Sequence, residues 1–138
     1  MENIQESNKQ VVRRLIEGAM NQGRLELVNE LFAEQAIEHD PHQQAAATPR
    51  EAFIAAVEMF RSAFPDNQMI IEDQIAEGDQ VATRWRMTGT HLGEFMGVAA
   101  SSRHVEVGGI FYDRLENGQM QETWAQYDLF GLMQQLQD

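Results

Sequence analysis

The 138-residue chain has no cysteine, which excludes disulfides, thiolate metal sites and a catalytic thiol. It also has no apolar run near the roughly 20 residues that a membrane-spanning helix needs. Its first residues, Met1 to Gln5, form neither the basic nor the apolar stretch of a signal peptide. These three absences predict a cytoplasmic protein that does not insert into a membrane.

Basic residues are scarce as well: 10 Lys and Arg stand against 22 Asp and Glu, which gives a formal net charge of −12. An acidic surface repels phosphate backbones and anionic lipid headgroups. We therefore expect neither nucleic acid nor a membrane surface as a partner. The acidic residues are scattered rather than clustered, which favours a solubilising surface over an acid-specific function.

The first half of the chain has the apolar periodicity of helices. Apolar residues recur every three or four positions up to Met20, and Asn21-Gln22-Gly23 predicts the end of that helix. A short second helix follows, with its buried side between Leu27 and Phe32. The periodicity is lost over residues 37–48, where Pro41 adds to the prediction of a loop.

A third helix is predicted from its start signals. Thr48 can cap it, Pro49 suits its first turn, and Glu51 can complete a capping box. Phe64-Pro65-Asp66 ends it.

The second half changes to the period of two that is typical of strands. Residues 69–77 and 80–91 are predicted to pair around Gly78-Asp79, and residues 104–115 and 119–127 around Asn117-Gly118. Residues 129–136 return to a helical pattern. Helices followed by meandering strands predict an α+β fold, a curved antiparallel sheet packed on helices, in one domain over residues 1–138.

Several segments, in order along the chain, share a pattern with a known family. The segments are Gly89-Thr90-His91-Leu92-Gly93-Glu94-Phe95-Met96-Gly97, Val105 to Arg114, Glu122-Thr123-Trp124 and Asp128 to Leu136, with the earlier Asn21-Gln22-Gly23 and His39-Asp40-Pro41. Together they are similar to the SnoaL-like polyketide cyclases of the NTF2-like superfamily. This resemblance implies a cone, in which three N-terminal helices close the concave side of a curved, mostly antiparallel sheet around a pocket for a flat, apolar molecule. It also implies the chemistry of the characterised members, which close a ring by intramolecular aldol condensation without a metal or cofactor.

The resemblance also implies where the family's acid/base aspartate should lie, and that position is Ala125. The family's other polar pocket positions fall on Gly109 and Phe111. Because none of these side chains moves a proton, we expect the family's own cyclisation to be absent or very weak. Whether the chain is an enzyme stays open at this point.

Four other residues are candidates for the catalytic acid or base. His39 and Asp40 could form a dyad at the mouth of the cone, although Asp-Pro also starts turns. Tyr127 shares a strand face with Ala125 and would be the only titratable strand group in the pocket. Asp128 could swing inward, although it also suits the cap of the last helix. The predicted pocket lining is Trp85, His91, Glu94, Phe95, Met96, Phe111 and Ala125.

Three functional hypotheses follow. The first is a cofactor-free cyclase, isomerase or lyase that acts on a small apolar carbonyl compound. The second is a protein that binds a small hydrophobic ligand without turnover, and the third is an NTF2-like interaction domain. We expect no metal site, because cysteine is absent and the histidines lack close helical spacing. We expect a homodimer through the outer face of the sheet, near Trp124.

Overall fold

A computed structural model describes residues 3–39 and 48–137 of the chain. It confirms the predicted α+β class, with helical and extended segments close to the predicted bounds. In chain order the elements are α1 (Ile4–Arg14), a π-helical segment (Leu15–Met20), α2 (Glu26–Leu31), β1 (Phe32–His39), α3 (Pro49–Ala63), β2 (Gln68–Glu77), β3 (Gln80–Thr90), β4 (His104–Glu116), β5 (Gln119–Tyr127) and α4 (Leu129–Leu136).

The first helix widens before it ends. Asn3 caps its start, and the Asn3 side chain accepts a hydrogen bond of 2.9 Å from the Gln5 backbone N–H. After Arg14 the turn becomes π-helical, and the Asn21 N–H reaches back five residues to the Ile16 carbonyl at 3.1 Å. This segment carries Leu15, Ile16 and Met20 into the protein interior, where all three are buried.

The third helix starts as its sequence predicts. The Thr48 hydroxyl accepts from the Glu51 N–H at 3.2 Å, and the Glu51 carboxylate accepts from the Thr48 N–H at 3.4 Å. Pro49 stands in the first turn, where its missing N–H costs nothing. The capping box is therefore confirmed, and it fixes where α3 begins to cover the sheet.

The five strands form one sheet in the order β1-β5-β4-β3-β2. The pair β1 and β5 is parallel and the other three pairs are antiparallel, so the mostly antiparallel sheet is confirmed. Both predicted hairpins are present: Gly78, Asn117 and Gly118 adopt positive φ angles of 60°, 54° and 76°. Such turns match the twist of the strands that they join.

Strand β1 corrects the sequence-based interpretation of residues 32–39. The helix was predicted to reach Phe32 and a loop to begin at residue 37, but Phe32–His39 form a strand. Phe32 and Ala36 point into the core, and pairing with β5 supplies the backbone hydrogen bonds. Residues 40–47, with Asp40 and Pro41, lie outside the described part of the chain.

The alternation of side chains gives the sheet two faces. We call the face that packs against α1, the π-helical segment and α3 the inner face, and the opposite one the outer face. On β3, for example, Val81, Thr83 and Trp85 are buried on the inner face, while Arg84 is exposed on the outer face. None of the helices between residues 3 and 137 that the structure describes is long and apolar enough to cross a membrane.

Candidate functional site

A cavity of about 280 Å³ lies between the inner face of the sheet and the helices. Its wall is mostly apolar. Aromatic rings contribute from α3, β3, β4 and β5. Methionine is a flexible and polarisable side chain that fits irregular ligands and packs favourably on aromatic rings. Six of the eight methionines of the chain line this cavity: Met20, Met59, Met69, Met87, Met96 and Met120.

One acidic side chain, Asp113 of β4, is part of this wall although it is only 1% exposed. Burial raises the pKa of its carboxyl from 3.8 to about 7, and the nearby Thr123 hydroxyl on β5 offsets only a part of this shift. No group within the described residues makes a hydrogen bond of standard geometry to either carboxyl oxygen. Thr123 thus acts on Asp113 as a nearby dipole rather than as a formed hydrogen bond.

The lack of a hydrogen bond to the Asp113 carboxyl is informative, because buried polar groups are normally hydrogen-bonded. An unpaired carboxyl in an apolar setting destabilises the fold, and the cost falls when the group takes up a proton. A carboxyl that titrates near neutral pH can both give and accept a proton at working pH. Perturbed titrating groups in a cavity are candidates for catalysis.

Trp85 is the second residue in the wall with an unsatisfied buried polar atom, its indole N–H. The ring lies over Gly109 of β4, and a Cβ atom at that position would collide with the indole. The ring also packs on Phe111 and Tyr127, with centroid distances of 5.4 and 6.3 Å. The absence of a side chain at Gly109 therefore leaves room for the Trp85 indole to lie against the sheet.

The predicted catalytic residues do not come together in the structure. His39 lies on the outer face, where its Nε2 is 2.8 Å from Glu122 Oε2 and its ring stacks on Trp124 at 4.9 Å. Asp128 caps α4, and its Oδ1 accepts from the Gly131 N–H at 2.9 Å. Tyr127 lines the cavity and meets Phe60 edge to face at 6.0 Å. Asp40 lies outside the described residues.

The residues proposed as pocket lining separate into two groups. Trp85, Met96, Phe111 and Ala125 line the cavity. His91 and Phe95 are fully buried behind it: His91 Nδ1 lies 2.8 Å from Ser101 Oγ, and Phe95 packs in an aromatic cluster beside Phe64. Glu94 is exposed, and its carboxylate accepts from the Gly97 N–H at 2.9 Å.

The expectation that Tyr127 is the only titratable strand group in the pocket is wrong. Glu38 of β1 and Asp113 of β4 also belong to the wall. The signal for Asp113 was present in the sequence: Val105, Val107, Phe111 and Leu115 alternate along β4, and Asp113 stands in the same phase. Glu38 had no such signal, because its segment was predicted to be a loop.

Residues 3–39 and 48–137 contain no cluster of three His, Cys, Asp or Glu side chains that could hold a metal ion. The cavity wall that these residues form also lacks Lys, Arg and His. What the arrangement offers chemically is proton exchange by carboxyls inside an apolar enclosure.

Comparison with known proteins points to one family. Residues 9–136 match the SnoaL-like polyketide cyclase model. The chain is 29% identical, over 132 residues, to aklanonic acid methyl ester cyclases of Streptomyces peucetius and Streptomyces sp. strain C5; these matches cover 91% of the chain and 88% and 79% of the two relatives.

Solved structures give the same result. A proposed SnoaL-like polyketide cyclase from Jannaschia sp. CCS1 superposes with a TM-score of 0.86 at 26% identity, over 99% of this chain and 95% of that one. IdmH, a proposed polyketide cyclase from Streptomyces antibioticus, superposes with a TM-score of 0.82 at 32% identity, over 94% of this chain and 97% of that one.

Proposed function

This chain belongs to the SnoaL-like polyketide cyclase family, and on that premise we propose that it converts a small apolar carbonyl compound inside its cavity by acid–base chemistry without a cofactor. We assign Asp113 as the residue that supplies a proton or a hydrogen bond to the carbonyl oxygen. The reaction type that fits is an intramolecular ring closure, as the names of the Streptomyces relatives describe for those proteins.

The observation that carries the proposal is the unpaired, buried carboxyl of Asp113 in the apolar wall. Since burial raises its pKa to about 7, a large share of the protein holds Asp113 in the protonated form near neutral pH. A protonated carboxyl is a strong donor to a developing oxyanion in a site that excludes water. A positioned acid or base contributes roughly 10²–10⁴-fold to the rate.

In this proposal Asp113 replaces the acid/base group that is missing at Ala125. In the β4–β5 register Phe111 faces Ala125, and Asp113 faces Thr123 in the next inner-facing row. A carboxyl therefore enters the same cavity from the neighbouring strand, two residues away from the row of the family's aspartate. We accordingly expect turnover that depends on Asp113.

The test is turnover of aklanonic acid methyl ester, the compound named for the Streptomyces relatives, by the wild type and by Asp113→Ala. We expect the substitution to lower kcat about 10²–10⁴-fold, while the affinity for a planar aromatic ligand changes only a few-fold. Asp79→Asn, on the exposed turn between β2 and β3, is the matched control and keeps wild-type turnover. Wild-type kcat in Asp113→Ala would contradict the assignment. Ligand binding with no turnover in any form would favour the binding-protein hypothesis.

We further propose that the outer face pairs with a second copy of the chain. Ile110 and Tyr112 are 48% and 39% exposed there, and Tyr112 contacts Trp124 at a centroid distance of 5.6 Å. The same face carries side chains of both charge signs, among them the ion pairs Arg84–Asp73 and Arg114–Glu122. A two-fold interface brings the same patch of both copies together, so that such charges can meet partners of opposite sign. Light scattering should give twice the 15.7 kDa chain mass. Ile110→Glu should halve it, whereas Ile4→Glu on α1 should not. A wild-type mass of one chain contradicts the dimer.

A further inference from the structure

A second carboxyl stands in the cavity wall, on the strand next to β5. Glu38 of β1 is the register partner of Thr123 on β5, and Thr123 is the register partner of Asp113 on β4. All three line the cavity. The row Glu38, Thr123, Asp113 therefore runs across three adjacent strands on the inner face.

The spacing of this row is set by the sheet. Neighbouring strands lie about 4.7–4.9 Å apart, so the backbones of Glu38 and Asp113 are roughly 10 Å apart. Both side chains line the cavity that Thr123 also lines. A carbonyl group and its neighbouring carbon fit between two such groups, with each at a contact distance of about 2.6–3.2 Å.

The two carboxyls differ in environment. Asp113 is 1% exposed, while Glu38 is only partly buried. Where two carboxyls share a site, the buried one tends to keep its proton and the more solvated one serves as the base.

We propose that Glu38 is the general base of the reaction and that Asp113, across Thr123, holds the carbonyl oxygen of the same substrate. This assignment rests on the proposed function. It makes the substrate a compound with an acidic C–H next to a carbonyl, bound so that the carbonyl points to β4 and the adjacent carbon points to β1.

The proton and electron balance closes without a co-reactant. The Glu38 carboxylate removes the proton from the carbon next to the carbonyl, and the C–H electron pair forms an enolate whose oxygen accepts a hydrogen bond from protonated Asp113. The enolate carbon then attacks a second carbonyl carbon of the same molecule and forms a C–C bond. The electron pair of that carbonyl moves to its oxygen, which takes the proton back from Glu38. The product is an isomer of the substrate, and both carboxyls return to their starting state.

The test compares Glu38→Gln with Glu34→Gln, an exposed glutamate on the same strand. Glu38→Gln should lower kcat about 10²–10⁴-fold with KM changed only a few-fold, and it should remove the acidic limb of the pH–rate profile. Glu34→Gln should leave both unchanged. Asp113→Asn should keep more activity than Asp113→Ala, because an amide still donates a hydrogen bond, and it should remove the basic limb.

The pH limbs must be separated from other titrating groups nearby. Tyr127 of β5 is the further titratable group in the described wall, and Tyr127→Phe should leave both limbs in place. On the outer face, Glu122 contacts both His39 and Arg114. The substitution His39→Gln should therefore leave the limbs unchanged as well.

Proton removal by the base can be measured without ring closure as exchange of the acidic C–H of aklanonic acid methyl ester in D₂O, followed by NMR. The wild type should accelerate this exchange and Glu38→Gln should abolish the acceleration. If Glu38→Gln exchanges and turns over at the wild-type rate while Asp113→Ala is inactive, the role of Glu38 is overturned and the proposed function stands. If both variants keep wild-type rates, or if the wild type neither exchanges nor turns over, the proposed function fails with it.

Discussion

Polar side chains in the cavity wall and polar side chains on the outer face of the same sheet are in different environments. On the outer face, Arg84 bonds both carboxylate oxygens of Asp73 at 3.2 Å, and Arg86 bonds Glu72 at 2.7 Å. On the inner face, the Asp113 carboxyl and the Trp85 indole N–H have no hydrogen-bond partner within the described residues. Strand β3 contributes to both environments, since Arg84 and Arg86 lie on one side of it and Trp85 on the other.

This difference distinguishes polar side chains that only contribute to the surface from polar side chains that have a function. A polar group at the surface is satisfied by water or by an ion pair, and its removal changes the free energy of unfolding little. A buried group without a partner lowers stability, so its presence in a natural fold needs another reason. The inner face keeps Asp113 in spite of that cost, which is why we assign chemistry to this face. Stability measurements test the comparison directly.

We expect the largest effect on the pH dependence of stability from Asp113→Asn, because the amide has nearly the same shape as the carboxyl but does not titrate. The folded wild type holds a proton on Asp113 up to about pH 7, whereas the unfolded chain loses it near 3.8. Stability relative to Asp113→Asn should therefore be greatest below about pH 4 and fall as the pH rises to about 7. The loss is at most roughly 4 kcal/mol in the free energy of unfolding.

Urea unfolding at fixed protein concentration, at intervals from pH 4 to pH 8, measures this difference. Other titrating groups affect both proteins equally and cancel. Asp79→Asn is again the control and should follow the wild type at every pH. Parallel curves for the wild type and Asp113→Asn would mean that the carboxyl has an ordinary pKa, and the contrast between the faces would then lose its main support.

Much of the fold was predictable because its signals are local. The capping box at Thr48, the Asn117-Gly118 turn and the alternation of β5 each depend on a few consecutive residues. Strand β1 was missed because its partner, β5, lies more than eighty residues further along the chain, and no local pattern indicates such a pairing. Glu38 was missed for the same reason, because its place in the cavity wall depends on that pairing.

Asp113 was missed for a different reason. Between Tyr112 and Arg114 it resembles any charged residue of a half-exposed strand, and its burial depends on the helices that cover the inner face. The resemblance to the family directed attention to Ala125 instead. The phase of β4 was the available signal, since an acidic residue in the apolar phase of a strand needs an explanation.

The smallest effect is expected from the outer-face pair of Arg84 and Asp73, whose side chains are 57% and 59% exposed. The contact is bidentate, because Arg84 Nε and Nη2 donate to the two carboxylate oxygens of Asp73 at 3.2 Å. Water and salt nevertheless screen both charges. A double-mutant cycle with Arg84→Ala and Asp73→Ala should give a coupling of about 0.2–1 kcal/mol that falls as the salt concentration rises. The variants should keep wild-type turnover, because neither residue lines the cavity. A coupling of several kcal/mol, or a loss of turnover, would show that this pair is not an ordinary exposed ion pair. In that case the pair would have to be buried in the proposed dimer, and the coupling should then disappear in the Ile110→Glu background.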